Sequence, residues 1–287
     1  MSDPTTEPGR FTAYLRERFP PLSYALLSAV FVGAGALAAI RLGGGEPRPQ
    51  AALVVLAVFF HLRVADEHKD HARDRETHPQ RLLSRGVVTL PMLARWGAAA
   101  IAIEAALAAS LGLRAFVAWA GVLAFSLAMR HEFGAPRTLS RSMLLTAVVH
   151  NPVVALLALF VHASTGASWD ARYLLFVTAA TFASLAFEIA RKTRLPSEEI
   201  AGVPSYSSVY GRDTAGALVA GCASAAAIAA VLLNASMSPS WAPLVPVLGG
   251  LAATRGLSRP GQPSSRVELG ASLGLIGTFL GIAVAAW

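Results

Sequence analysis

Cysteine and charge are both scarce in this chain. Its one cysteine, Cys222, lies in an alanine-rich apolar run, so neither a disulfide framework nor a cysteine metal site can form within one chain. Only 14% of the residues are charged, against roughly 25% in soluble globular domains. The sequence has no phosphate-cradling P-loop, dinucleotide fingerprint, serine-nucleophile elbow or zinc motif. It also lacks the ten-residue alternating segments of a membrane β-barrel. The first 20 residues are polar, with several prolines and arginines and no short apolar core before a cleavage site, so no signal peptide is expected.

What the chain does have is long apolar runs. Hydrophobic residues make up 54% of it, and its mean hydropathy is +0.53. A helical span needs about 20 apolar residues. Nine segments meet or approach that: 22–41, 49–66, 89–111, 114–130, 142–163, 171–190, 214–234, 241–255 and 267–286. The eighth is short and carries Pro243, Pro246 and a Gly249–Gly250 pair. The runs are dense in Ala and Gly, which let helices approach closely in a membrane. The expected architecture is all-α: nine transmembrane helices around a central cavity, with residues 1–21 as a cytoplasmic segment and 22–287 as one transmembrane domain.

Charge placement supports that reading. Of the 24 Lys and Arg residues, 20 fall in the N-terminal segment and the connections after the second, fourth, sixth and eighth runs, leaving Arg41, Arg48, Arg114 and Arg172 on the other side. Cytoplasmic loops carry the excess of Lys and Arg. The N-terminus is therefore expected inside and the C-terminus outside, in a multi-pass protein of the cell membrane. The net charge of +7 reads as this topological bias, with the lipid bilayer as partner and no nucleic acid.

Acidic residues do little for topology, so their concentration in two of these cytoplasmic loops needs another cause. After the second run, "RVADEHKDHARDRETHP" carries Asp66, Glu67, Asp70, Asp74 and Glu76; around the end of the sixth lie Glu188, Glu198, Glu199 and Asp213. Asp66, Asp70 and Asp74 recur every fourth residue, so on a helix they project within about 80° of one another, and Glu67 is expected to extend their face. Arg63 and Arg73 interleave with the row, so a mutually neutralised surface helix is one reading. The other is a divalent metal. Magnesium takes carboxylate oxygens, keeps waters and bridges to substrate phosphates. An aspartate row at a membrane-facing helix end suits a lipid diphosphate, with nearby arginines gripping phosphate oxygens in bidentate fashion.

These residues resemble a known family. "DEHKDHARD" is similar to the first aspartate-rich motif of the UbiA superfamily of intramembrane prenyltransferases, Asn-Asp-x-x-Asp-x-x-x-Asp, with Asp66 in the Asn place. The continuation "HPQRLLSRGVV" keeps Arg81 and Gly86 of the family's Arg-Pro-x-x-x-Gly stretch, with Leu82 where proline is usual. In "EIARKTRLPSEEIAGVPSYSSVYG", Gly202 and Gly211 keep the spacing of the second motif, Ser205 takes its Thr place, Glu198 falls at its last acid and Glu188 at its first. This second motif departs from the family in having glutamates for aspartates and a basic "ARKTR" inside it. Glu188 then has two readings: a direct site acid, or an anchor for Lys192 four residues on that leaves Lys192 or Arg191 to meet the diphosphate.

The resemblance implies a Mg2+-dependent prenyltransferase that ionises an isoprenoid diphosphate and passes the prenyl group to an aromatic or other lipophilic acceptor. It implies Asp66, Asp70, Asp74 and Glu188 as catalytic residues; Asp66, Glu67, Asp70, Asp74, Glu198 and Glu199 as metal carboxylates; and Arg63, Arg81, Arg137, Arg141, Arg191, Lys192 and Tyr206 on the diphosphate. His150 and Asn151, polar within an apolar run, together with Phe60 and Phe187 at the motif ends, are expected on the cavity wall. The His–Asn pair and Glu104 also have a structural reading, as hydrogen bonds between helices. Two other functions fit less closely. A terpene cyclase on the same scaffold would need no second substrate, and a transporter or lipid-binding protein would use neither aspartate motif.

Overall fold

The structure, a computed structural model, describes residues 6–259 and 261–287; residues 1–5 of the expected N-terminal segment, and Pro260, lie outside it. Its helices are α1 (Glu7–Arg18), α2 (Pro21–Gly43), α3 (Gln50–Thr77), α4 (Leu90–Ser110), α5 (Leu113–Arg130), α6 (Pro136–Leu139), α7 (Met143–His150), α8 (Pro152–Thr165), α9 (Tyr173–Ala190), α10 (Tyr206–Tyr210), α11 (Arg212–Met237), α12 (Leu244–Leu257) and α13 (Ser264–Ala286). Among the described residues β pairing is confined to one isolated bridge, Ile200 with Val203.

Every expected apolar segment falls on helix, but not all are equal. Seven stretches are long and apolar enough to cross a membrane: α2, α4, α5, α7 with α8 counted together, α9, α11 and α13. The expected second and eighth spans fall short of that standard. Helix α3 is apolar at its start, but its 28 residues run on through the whole charged cluster. Helix α12 has 14 residues. The run at 142–163 is interrupted at Asn151–Pro152, because proline has no N–H to donate and its ring crowds the preceding turn.

The helices form a closed ring. Each packs on the next from α2 to α5, α5 packs on α8, the order continues through α9, α11 and α12, and α13 returns to α2. Small residues set the tightest seam. A Cβ on Gly277 of α13 would come within 2.2 Å of the Pro246 carbonyl of α12, and Thr254 donates to the Gly270 carbonyl at 2.8 Å. With no hydrophobic driving force between helices in lipid, such backbone approach and interhelical hydrogen bonding hold the bundle. An aromatic group from three helices (Phe31, Phe176 and Phe279) packs together in the buried core, with centroids 5.6–6.1 Å apart.

Helix α1 lies outside the ring. The Thr6 hydroxyl accepts from the Gly9 N–H at its start, and Arg16 and Arg18 face the negative end of its dipole. Phe11, Tyr14 and Phe19 dock it on Phe60 of α3 and Trp96 of α4. That contact fixes one flank of the charged half of α3.

Candidate functional site

Because α3 continues unbroken from apolar to charged sequence, it delivers its acids to one end of the bundle on a rigid element. The four carboxylates are not equivalent. Asp66 has 55% of its side chain exposed, with Lys69 Nζ 3.9 Å away. Asp70 is half-buried and accepts from Arg73 at 2.9 Å. Asp74 is buried; Arg81 pairs with it directly and His78 Nδ1 lies 3.7 Å from it. The row therefore closes progressively away from the membrane. Glu67 does not extend it. One residue on is about 100° round the helix, and Glu67 instead turns under α1, where Arg18 Nε donates to it at 2.6 Å and only 2% of it is exposed.

A second wall comes from the hook between α5 and α6. Glu132 and Phe133 both adopt left-handed backbone, with φ of 49° and 52°, a conformation that costs about 1–3 kcal/mol per non-glycine residue. The hook places Glu132 Oε1 3.7 Å from Lys69 Nζ and lays the Phe133 ring between Phe125 and His150. Beside it opens a cleft of about 460 Å3, lined by Lys69, Arg130, His131, Glu132, Pro136, Arg137 and Ser140. Clefts that hold small molecules begin at about 300 Å3. Arg137 lines this cleft; Arg141 is exposed beyond it.

The third wall is the end of α9 and the loop after it. Both Glu188 oxygens are taken: Oε2 accepts from Arg191 Nε at 2.6 Å, and Oε1 lies 2.7 Å from Lys192 Nζ. The Glu198 carboxylate accepts from the backbone N–H groups of Leu195 and Ser264, at 2.9 and 3.0 Å. Those donors hold it below the usual carboxylate range. Ser264 is the first residue of α13, so Glu198 satisfies an otherwise orphaned helix donor. Glu199 Oε1 accepts from the hydroxyls of Ser205 and Ser207, at 2.6 and 2.9 Å. Tyr206 is buried, donates to the Met143 carbonyl at 3.4 Å and stacks on Tyr210. Burial first, and then the Glu188 charge, holds its hydroxyl proton more tightly than usual.

The three segments share electrostatic partners. Lys69, Glu132, Asp66 and Lys192 all act electrostatically on the His150 ring, whose Nε2 is buried without a partner. Arg191 acts on Asp66 in the same way, and Arg63 lies within the fields of Tyr24, Asp66 and Glu67. Asn151 donates to the Thr181 carbonyl of α9 at 2.9 Å, a hydrogen bond between helices. Phe60, expected on the cavity wall, packs in the α1 cluster, because the face of α3 it occupies is the one α1 covers. Phe187 packs against the buried group of Ala147, Ile189 and Tyr206.

Two features went unread in the sequence, and the structural reading of Glu104 acquires its partners. Lys69 and Glu132 bridge the first two walls, and only Lys69 had a signal, its position three residues after Asp66. Arg18 has none, being 49 residues from its partner Glu67. In the membrane half, Glu104 accepts from Trp119 Nε1 at 3.0 Å and pairs with His61 Nδ1, joining α3, α4 and α5.

As a metal site the arrangement is incomplete by itself. Among the described residues no group of three or more His, Cys, Asp or Glu side chains converges on one point. Two carboxylates one turn apart, Asp66 and Asp70, still match magnesium's habit of taking one or two carboxylates plus substrate phosphates and water.

No protein-family model and no curated protein matches the sequence. Solved structures do. A UbiA homologue from Aeropyrum pernix K1 superposes with a TM-score of 0.68 at 21% identity, over 91% of this chain and 97% of that one. A UbiA homologue from Archaeoglobus fulgidus, bound to GPP and Mg2+, gives 0.63 at 17%, over 96% and 99%. A digeranylgeranylglyceryl phosphate synthase gives 0.60 at 15%, over 93% and 99%. The chain has the UbiA fold.

Proposed function

On a chain with the UbiA fold, we propose a Mg2+-dependent intramembrane prenyltransferase that acts on an isoprenoid diphosphate. One arrangement carries the reading: the exposed Asp66 and part-buried Asp70 lie on the same charged stretch of α3 as Lys69, which lines the cleft with Arg137, and the charge of Arg191 at the end of α9 acts on Asp66. The A. fulgidus homologue is described with GPP and with DMAPP, each time with Mg2+, and the donor types here suit both. In this reading α3 and α12 join the seven clear spans to make nine embedded helices, and residues 22–287 form one domain. The charged end faces the cytoplasm in the cell membrane, as the Lys and Arg bias supports.

Asp66 and Asp70 would hold the metal. When bound, it neutralises diphosphate charge and stabilises the leaving group. Asp74 keeps Arg81 aimed at the same end, and Arg63, Arg81, Arg137, Arg191 and Lys192 gather on the remaining phosphate oxygens. Tyr206, tied to α7, braces that wall. The prenyl chain lies among the helices below, beside His150. The allylic C–O bond breaks with its electron pair passing to the diphosphate. An aromatic or other lipophilic acceptor donates an electron pair to the allylic carbon and then loses a proton.

The test is to incubate purified protein with Mg2+ and a panel of C10 to C30 diphosphates, with and without membrane extract, and to identify products. A prenylated compound that appears only with extract is expected. A cyclic hydrocarbon or alcohol formed from diphosphate alone would replace this reading with a terpene cyclase. No diphosphate release in either arm would leave a transporter or lipid-binding protein.

A further inference from the structure

The second wall of acids expected from the sequence has the opposite character in the structure. Both oxygens of Glu188 are claimed by Arg191 and Lys192. Glu198 is committed to the backbone of Leu195 and Ser264, and Glu199 to two serine hydroxyls. The one oxygen there without a partner, Glu199 Oε2, is buried. What remains open on this wall is cationic. Arg191 and Lys192 keep 41% and 39% of their side chains exposed, and their charges act on Asp66 and His150 respectively. A divalent ion placed here would meet the Glu188–Arg191–Lys192 cluster, which is net positive and whose one carboxylate has both oxygens engaged. A diphosphate would meet a planar two-toothed donor and an ammonium.

We infer that this chain binds its diphosphate with a single divalent ion, held by the α3 row, and that Arg191 and Lys192 replace a second ion on the α9 wall. The inference rests on the prenyl-diphosphate reading above and specifies how that site is charged. Glu188 is then a positioning residue. Three and four residues before its partners at the end of α9, it holds both cations toward the ligand at the cost of its own capacity to ligate a metal.

The experiment counts ions rather than turnover. Detergent-purified protein is titrated with Mn2+ alone and with a saturating thiolo analogue of geranyl diphosphate that cannot ionise, and bound Mn2+ is followed by electron paramagnetic resonance. One Mn2+ per chain with an isolated-ion spectrum is expected, and Glu188→Gln leaves that count at one. Arg191→Ala and Lys192→Ala each weaken analogue binding about tenfold, the worth of one charge-assisted hydrogen bond, without changing the count. Two Mn2+ per chain with the analogue bound, above all with spin coupling between them, overturns the single-ion inference and leaves the prenyl-diphosphate reading standing. Binding of neither Mn2+ nor analogue overturns both. The wild-type count alone decides, so a variant that fails to fold does not obscure the answer.

Discussion

His61 Nδ1 lies 2.7 Å from Glu104 Oε1, and both side chains are buried within the apolar part of the bundle. Trp119 supplies the second hydrogen bond to the same carboxyl. The group joins α3, which carries the aspartate row, to α4 and α5, so its loss should loosen the frame that positions the row. Glu104→Leu strands the His61 and Trp119 ring nitrogens, each at about 1–3 kcal/mol, whereas Glu104→Gln keeps an oxygen to accept from Trp119 and an N–H to donate to His61 Nδ1 in its other tautomer. Thermal unfolding in detergent should show Glu104→Leu several degrees below Glu104→Gln. Equal melting temperatures would mean the group holds nothing together.

The unequal burial of Asp66, Asp70 and Asp74 gives a graded expectation. Asp66 and Asp70 have room for a metal, while Asp74 is held by Arg81. Asp66→Asn and Asp70→Asn should raise the Mg2+ concentration for half-maximal prenyl transfer by tenfold or more (about 1.4 kcal/mol per factor of ten). Asp74→Asn should instead raise the KM for the diphosphate and leave the Mg2+ requirement near wild type. A uniform rise in Mg2+ requirement across all three would show that Asp74 leaves Arg81 to ligate the ion.

The contact between Lys69 and Glu132 competes with substrate for the lysine. At 3.7 Å, and with both side chains partly exposed, it is worth no more than about 1 kcal/mol. Glu132→Gln frees Lys69 for the diphosphate, so KM should fall by a factor of up to about five with kcat little changed. Steady-state kinetics over a diphosphate series reads this directly. An unchanged KM places Lys69 outside the diphosphate's reach.

How much of this was legible in the sequence varies with the length scale of the cause. Hydropathy and charge bias act over 20 residues, and they located helix under all nine apolar segments. They did not show that α3 runs on into charge or that α12 has 14 residues, which keeps both outside the seven clear spans. The i, i+4, i+8 aspartates were readable because helical periodicity fixes their common face. Glu67 was not, because which neighbouring face is covered depends on where α1 docks. The local partners of the glutamates in the second loop were not legible for a related reason. A carboxylate beside Arg191 and Lys192, or beside the free N–H of a distant helix start, is spent locally, and the Ser264 end of α13 lies 66 residues from Glu198.

That last contact sets a pH dependence. The N–H groups of Leu195 and Ser264 hold the Glu198 carboxylate below its usual range, while in the unfolded chain it returns to about 4.3. A depressed folded value means the unfolded state binds the proton first as pH falls. The stabilisation is therefore fully present above about pH 5 and is lost progressively as pH drops through 4.3 toward the folded value. Glu198→Gln keeps the shape of the side chain but loses the charge. It should melt below wild type at pH 7, and the gap should narrow as both are acidified below about pH 4. Limited proteolysis between Leu195 and Ser205 gives a second reading, because an unanchored loop is cut faster. A gap between the two melting curves that stays constant with pH would show that Glu198 holds α13 by shape rather than charge.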